Sequence, residues 1–192
     1  MVAAFDPFGG RKRNRAQEAA RLLDRHTLGP SVIEMVTLPT VFSALRSATE
    51  VLFQPSSRLI LLVAESRWAH ELLVERLAVN VAHARIADNE GARPIDEEIM
   101  PGAEAALRVH FDPRIAANAA LAAGVPCEVS SHAGTFCGNA ALYWALWHAA
   151  LSHRPPLVGL VHVPSRLPWA RDQRTARGLY AIADRLHKID SP

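Results

Sequence analysis

Two largely apolar runs constrain this chain more than any other feature. Residues 59–64 read Leu-Ile-Leu-Leu-Val-Ala, and residues 157–163 read Leu-Val-Gly-Leu-Val-His-Val. A strand with one wet face alternates apolar and polar side chains; a strand covered on both faces does not. Both runs fall well short of the roughly 20 apolar residues of a membrane span. They predict two central strands. Shorter strands are predicted at 2–5, 32–38, 75–81 and 126–130. Helices are predicted at 16–25, 42–53, 113–123, 140–151 and 173–187, the first capped by Asn14. Strands alternating with helices predict an α/β sandwich around a twisted, largely parallel but mixed sheet. The 192 residues fit a single domain, 1–192. Residues 83–102 carry Asp88-Asn89-Glu90-Gly91 and two prolines, and read as a long functional loop.

Composition narrows the function. A formal net charge of +2 does not imply a nucleic-acid partner. The basic run Arg11-Lys12-Arg13-Asn14-Arg15 has no interleaved aromatics and reads as a solvated loop and helix start. Two cysteines, Cys127 and Cys137, give no disulfide framework and point to a reducing compartment. The N-terminus lacks a secretory pattern, so cytoplasmic residence is expected, without a membrane partner. His70, His83 and His110 share no ligand-like spacing with a cysteine or acidic cluster, so no metal site is expected.

The segment Ser130-Ser131-His132-Ala133-Gly134-Thr135-Phe136-Cys137-Gly138-Asn139 leaves a strand, crosses a small-residue turn and enters an apolar helix. A thiol at a helix N-terminus meets unpaired N–H groups and the positive end of the dipole, which favour thiolate. His162 lies near the end of one predicted strand and Glu75 at the start of another. Cys, His and Glu are the types a thiol relay needs: nucleophile, base, and an acceptor that orients the base. Bland alternatives stand beside them. Cys137 can be a small buried hydrophobe, and His132 a solvated turn residue or a hydrogen-bond partner of Cys137. Arg85 can pair with Asp88, and Phe5 and Phe8 can be core contacts.

Six ordered segments resemble the pyroglutamyl peptidase I (pyrrolidone-carboxylate peptidase) family. They are Phe5-Asp6-Pro7-Phe8-Gly9-Gly10 with Asn14, then Leu38-Pro39-Thr40-Val41-Phe42, and Glu75-Arg76-Leu77-Ala78-Val79-Asn80. After these come Ala84-Arg85-Ile86-Ala87-Asp88-Asn89-Glu90-Gly91 with Pro94-Ile95-Asp96, Gly124 through Asn139, and Gly159 through Pro164. The resemblance implies a three-layer α/β/α fold, phosphorylase/hydrolase-like, and a cysteine omega-peptidase that removes N-terminal L-pyroglutamate. It implies no metal or organic cofactor and a homo-oligomer, dimer or tetramer. It assigns Glu75 as the acidic member, His162 as the base, Cys137 as the thiol and Arg85 as an arginine near the nucleophile turn. Phe5 and Phe8 would line the ring pocket.

The chain departs from the family pattern in one decisive place. The family reads Ala-Gly-Thr-Phe-Val-Cys-Asn, and this chain reads Ala133-Gly134-Thr135-Phe136-Cys137-Gly138-Asn139. Aligned without a gap, Gly138 falls on the nucleophile. Either the turn is rearranged so that Cys137 reaches the site, or the member is catalytically degenerate and keeps only the fold and a ligand pocket. A family loop rich in Gln and Gly is also replaced by Ala64-Glu65-Ser66-Arg67. The strand ahead of Phe5 is short, and Arg15 stands where the family has Pro.

Overall fold

The computed structural model describes residues 1–166 and 172–189. Its main sheet has six strands in the order β4-β1-β5-β10-β6-β9. These are β1 (Val2–Phe5), β4 (Met35–Leu38), β5 (Leu59–Ser66), β10 (Leu157–Pro164), β6 (Leu72–Glu75) and β9 (Cys127–Ser130). The first four run parallel to one another. β6 turns against β10, and β9 follows β6 in parallel. The two apolar runs are neighbours at the sheet centre, paired over eight residues with His162 opposite Ala64.

Side-chain alternation divides the core into two layers. Val2, Leu59, Leu61, Val63, Val161 and Val163 face α1 (Arg15–Arg21), α3 (Pro113–Ala122) and α5 (Asp172–Ile189). Ala3, Phe5, Ile60, Leu62, Ala64 and Leu160 face α2 (Leu45–Glu50) and α4 (Cys137–Leu151). The three-layer expectation holds. α4 is apolar all round, and eleven of its residues are buried; it is the inner helix of its layer. α5 approaches the opposite face closely: a Cβ at Gly178 would lie 2.8 Å from Leu72 and 2.9 Å from Val125.

Several element boundaries differ from the sequence reading. The strand expected at 75–81 divides at Arg76. Its first part ends β6, and its second, β7 (Leu77–Val79), leaves the sheet to pair with β8 (Ala106–Arg108). Glu75 therefore closes a strand instead of opening one. The expected strand at 32–38 is also interrupted. Ser31–Val32 (β3) folds back on Thr27–Leu28 (β2) through Gly29, whose φ of 57° suits glycine. The helix expected at 42–53 begins as a 3-10 turn, Phe42–Ala44, before α2. α4 starts at Cys137, earlier than expected, so the thiol belongs to the first residue of the helix. The loop at 83–102 holds no helix or strand, but its start is tied to its end by the Ala82–Glu97 bridge.

Candidate active site

His162 lies near the carboxyl end of β10, on the α4 face by alternation from Leu160. In the antiparallel β10–β6 register Val161 opposes Val74 and His162 opposes Leu73. One residue further along, Glu75 comes beside Leu160, on the same face as His162 and diagonal to it, within reach of long side chains. The two meet: His162 Nδ1 lies 2.8 Å from Glu75 Oε1. Glu75 is wholly buried and His162 nearly so. Glu75 Oε2 is also buried and accepts no hydrogen bond among the described residues. An ionised carboxylate accepting from Nδ1–H fixes the tautomer that leaves Nε2 free to take a proton.

Nε2 points at the beginning of α4. A Cβ built on Gly138 would sit 3.3 Å from Nε2 and 3.3 Å from the Ala64 Cβ. Position 138, one residue after the thiol, is thus the one that faces the imidazole. Cys137 is 1% exposed and packs in the layer of Phe5, Leu62 and Ala140. No hydrogen bond joins Cys137 and His162 among the described residues. Burial, then the nearby Asp88 and Asp6 carboxylates, push the Cys137 thiol well above its ordinary range. The expectation that the helix terminus would favour thiolate is corrected on this point: in the resting protein desolvation outweighs the dipole.

The α4 terminus is held by Asn139, fully buried, whose Oδ1 accepts from Val79 N–H (2.9 Å). Its Nδ2 donates to the carbonyls of Val79 (2.9 Å) and Val81 (3.2 Å). Thr135 and His83 exchange two further bonds, His83 N–H to Thr135 O (3.0 Å) and Thr135 Oγ1 to His83 O (2.9 Å). The long loop is therefore stitched to the turn that precedes α4. Asp6 gathers other segments: its Oδ1 accepts from Thr40 N–H and Asn89 Nδ2, and its carbonyl from Asn14 Nδ2.

The remaining expected residues separate. Phe8 packs on Phe136 (centroids 5.7 Å apart), which also meets Phe42 edge-on at 5.4 Å. Phe5 lies in the core, 2% exposed, in the cluster against which Phe42 and Phe136 pack. Arg85 is exposed, and its guanidinium lies over the ring of Trp68, not on Asp88. Asp88 instead accepts from the backbone of Phe42, Glu90 and Ala92. His132 Nδ1 accepts from Gly134 N–H at 3.0 Å and does not bond Cys137. Sequence reasoning missed Asn139, Phe42, Phe136 and Trp68. The first could have been found as a polar residue opening an otherwise apolar helix.

A buried acid–imidazole pair on neighbouring strands of an α/β/α sandwich, aimed at a helix N-terminus, is an arrangement found in hydrolases that cleave acyl bonds with an oriented base. Comparison makes the assignment specific. The chain belongs to the pyroglutamyl peptidase family, whose model matches residues 1–179. It is 37% identical over 169 residues to the pyrrolidone-carboxylate peptidase of Alkaliphilus oremlandii, covering 85% of this chain and 77% of that one. Identity to the Cupriavidus taiwanensis pyrrolidone-carboxylate peptidase is 38% over 167 residues, with the same 85% and 77% coverage. The fold superposes on Bacillus amyloliquefaciens pyroglutamyl peptidase I with a TM-score of 0.91, at 28% identity, over 99% and 97% of the two chains. A mutant pyrrolidone carboxyl peptidase from Pyrococcus furiosus gives 0.91 at 27% identity, over 98% and 97%. The family is one of cysteine omega-peptidases.

Proposed function

We propose that this chain removes an N-terminal L-pyroglutamyl residue from peptides, with Glu75 and His162 as its acid–base pair. The observation that carries the reading is the buried 2.8 Å contact between His162 Nδ1 and Glu75 Oε1 beside the α4 terminus. The scissile carbonyl would lie against backbone N–H groups of residues 134–139, which would receive the oxyanion. His162 would take the thiol proton and return it to the leaving amine, and water would then release the acyl group. Phe8 offers an aromatic wall to the flat, neutral lactam. Cys137 is the cysteine of this turn, and thiolate attack requires the first turn of α4 to rotate by one residue. Arg85 would act from the edge of the site, and Phe5 from beneath it.

A second reading is favoured by the orientation of Gly138 towards His162 and the burial of Cys137. In it the chain keeps the pocket and binds pyroglutamyl peptides without covalent turnover. A fluorogenic pyroglutamyl amide assay, run beside calorimetric binding of a pyroglutamyl peptide, separates the two. Hydrolysis that disappears in Cys137→Ser supports the peptidase. Binding without hydrolysis supports the second reading, and neither hydrolysis nor binding removes both. Two free thiols fit a reducing, cytoplasmic setting. A homo-oligomer, dimer or tetramer, belongs to the same proposal and is read by light scattering. Among the described residues no helix is long and apolar enough to cross a membrane.

A further inference from the structure

β5 carries Ala64 against Gly138 and His162, then ends at Ser66. The chain turns there, with Ser66 Oγ accepting from the N–H groups of Trp68 and Ala69, each at 3.2 Å. The turn presents Trp68 to solvent, 66% exposed. The Arg67 guanidinium lies 5.0 Å from its ring centroid and that of Arg85 lies 5.4 Å away. Arg85 comes two residues after His83, which is bonded to Thr135 of the nucleophile turn. The stack thus bridges the two segments that flank the Gly138–His162 contact. Phe8, Phe42 and Phe136 form a separate aromatic group, and Phe8 and Phe136 belong to the loop and turn that lead into the site.

The charge at this stack is uncompensated. Arg11 pairs with Glu65, Arg13 with Glu18 and Arg114 with Asp112. Arg67 and Arg85 have no carboxylate partner among the described residues; the Trp68 ring is their contact. An arginine stacked on an aromatic face keeps its in-plane N–H donors available for a carboxylate.

We propose that Arg67, Trp68 and Arg85 form the subsite for the part of the substrate that follows the pyroglutamyl residue, and that they select a carboxylate there. This rests on the proposed reading of the site as one for pyroglutamyl peptides. The carboxylate can come from an acidic side chain or from a free C-terminus one residue beyond the lactam. Trp68 supplies the floor that holds both guanidinium planes, so the three residues act as specificity determinants and not as catalytic groups.

The test measures calorimetric Kd for four pyroglutamyl ligands whose scissile bond is reduced and cannot be cleaved. They are the Glu and Gln amides, the Gln free acid and the Lys amide. The expected result is tighter binding of the Glu amide or the Gln free acid than of the Gln amide, by about two- to fivefold, a range set by partly exposed ion pairs. Lys amide binds weakest, and the preference shrinks at high salt. Whichever of the first two is preferred names the source of the carboxylate. Arg85→Gln and Arg67→Gln each reduce the preference, and Trp68→Ala removes most of it, with circular dichroism confirming that each variant is folded. Equal binding of all four ligands to the parent overturns this inference and leaves the proposed function standing. Failure of all four to bind overturns both.

Discussion

Gly138 faces His162: a Cβ at this position would stand 3.3 Å from Nε2, while the neighbouring Cys137 side chain is packed in the core. A one-residue offset on a helix rotates a side chain by about 100°, here from contact with the imidazole to the apolar core. Gly138→Cys should therefore place a second thiol beside the base. The contact is tight, so His162 and Ala64 must give by a few tenths of an ångström. Pyroglutamyl amidase activity is expected to rise by on the order of 10²-fold or more over the parent. Iodoacetamide should label the new thiol faster than Cys137. No gain in a folded variant would show that position 138 is not the seat of a nucleophile.

Glu75→Gln should leave the fold in place and abolish most base function. The amide can still reach Nδ1, but it no longer stabilises the imidazolium, and its NH2 group can select the wrong tautomer. Hydrolysis by the parent, or by the Gly138→Cys variant, is expected to fall by about 10²- to 10⁴-fold in kcat. Circular dichroism confirms folding, and steady-state kinetics gives the loss.

Burial of the two native thiols makes stability depend on pH at the alkaline end. Burial pushes Cys127 up to about 12, and Cys137 is raised further. The folded chain thus keeps protons that the unfolded chain begins to release near the ordinary thiol value of 9.0. The sign follows: the contribution is complete below pH 9 and declines as pH rises, by up to about 1.4 kcal/mol per unit and per thiol, until about pH 12 for Cys127. In Cys127→Ala the loss of packing should make the variant less stable at pH 8. Its deficit against the parent should shrink or reverse by pH 11, as read from urea midpoints.

Asn139→Ala should unfold the protein more readily than a typical core change. It strands the Val79 N–H and the carbonyls of Val79 and Val81, all served by one buried amide. About 3 kcal/mol of destabilisation is expected, measured by denaturant titration. Asn139→Asp should cost at least as much, because the carboxylate cannot donate to the two carbonyls. A change below about 0.5 kcal/mol in either would show that the clamp has no structural weight.

The central strands were legible because a doubly covered strand is apolar almost throughout: residues 59–64 are, and 157–163 is broken only by His162. The alternation that places His162 and Glu75 on the α4 face was implicit in the same runs. The register that makes them diagonal neighbours was not, since it depends on β6 turning against β10. The break at Arg76 was hidden because Leu77–Val79 is as apolar as β6 and changes partner, not pattern. The state of Cys137 was the least legible feature. Its position at a helix start was visible in the sequence, but burial among Phe5, Leu62 and Ala140 is a tertiary property. The separation of Arg85 from Asp88 is tertiary too, set by the exposed ring of Trp68.

The buried contact between Glu75 and His162 has a consequence for folding. Replacing either member by an apolar residue strands its polar partner inside the sheet, with a cost of about 3–5 kcal/mol, a large part of the margin by which many domains stay folded. Residue 138 carries no such tether. Position 138 can therefore change with only small shifts of Ala64 and His162, whereas the Glu75–His162 pair is held by folding thermodynamics independently of any chemistry.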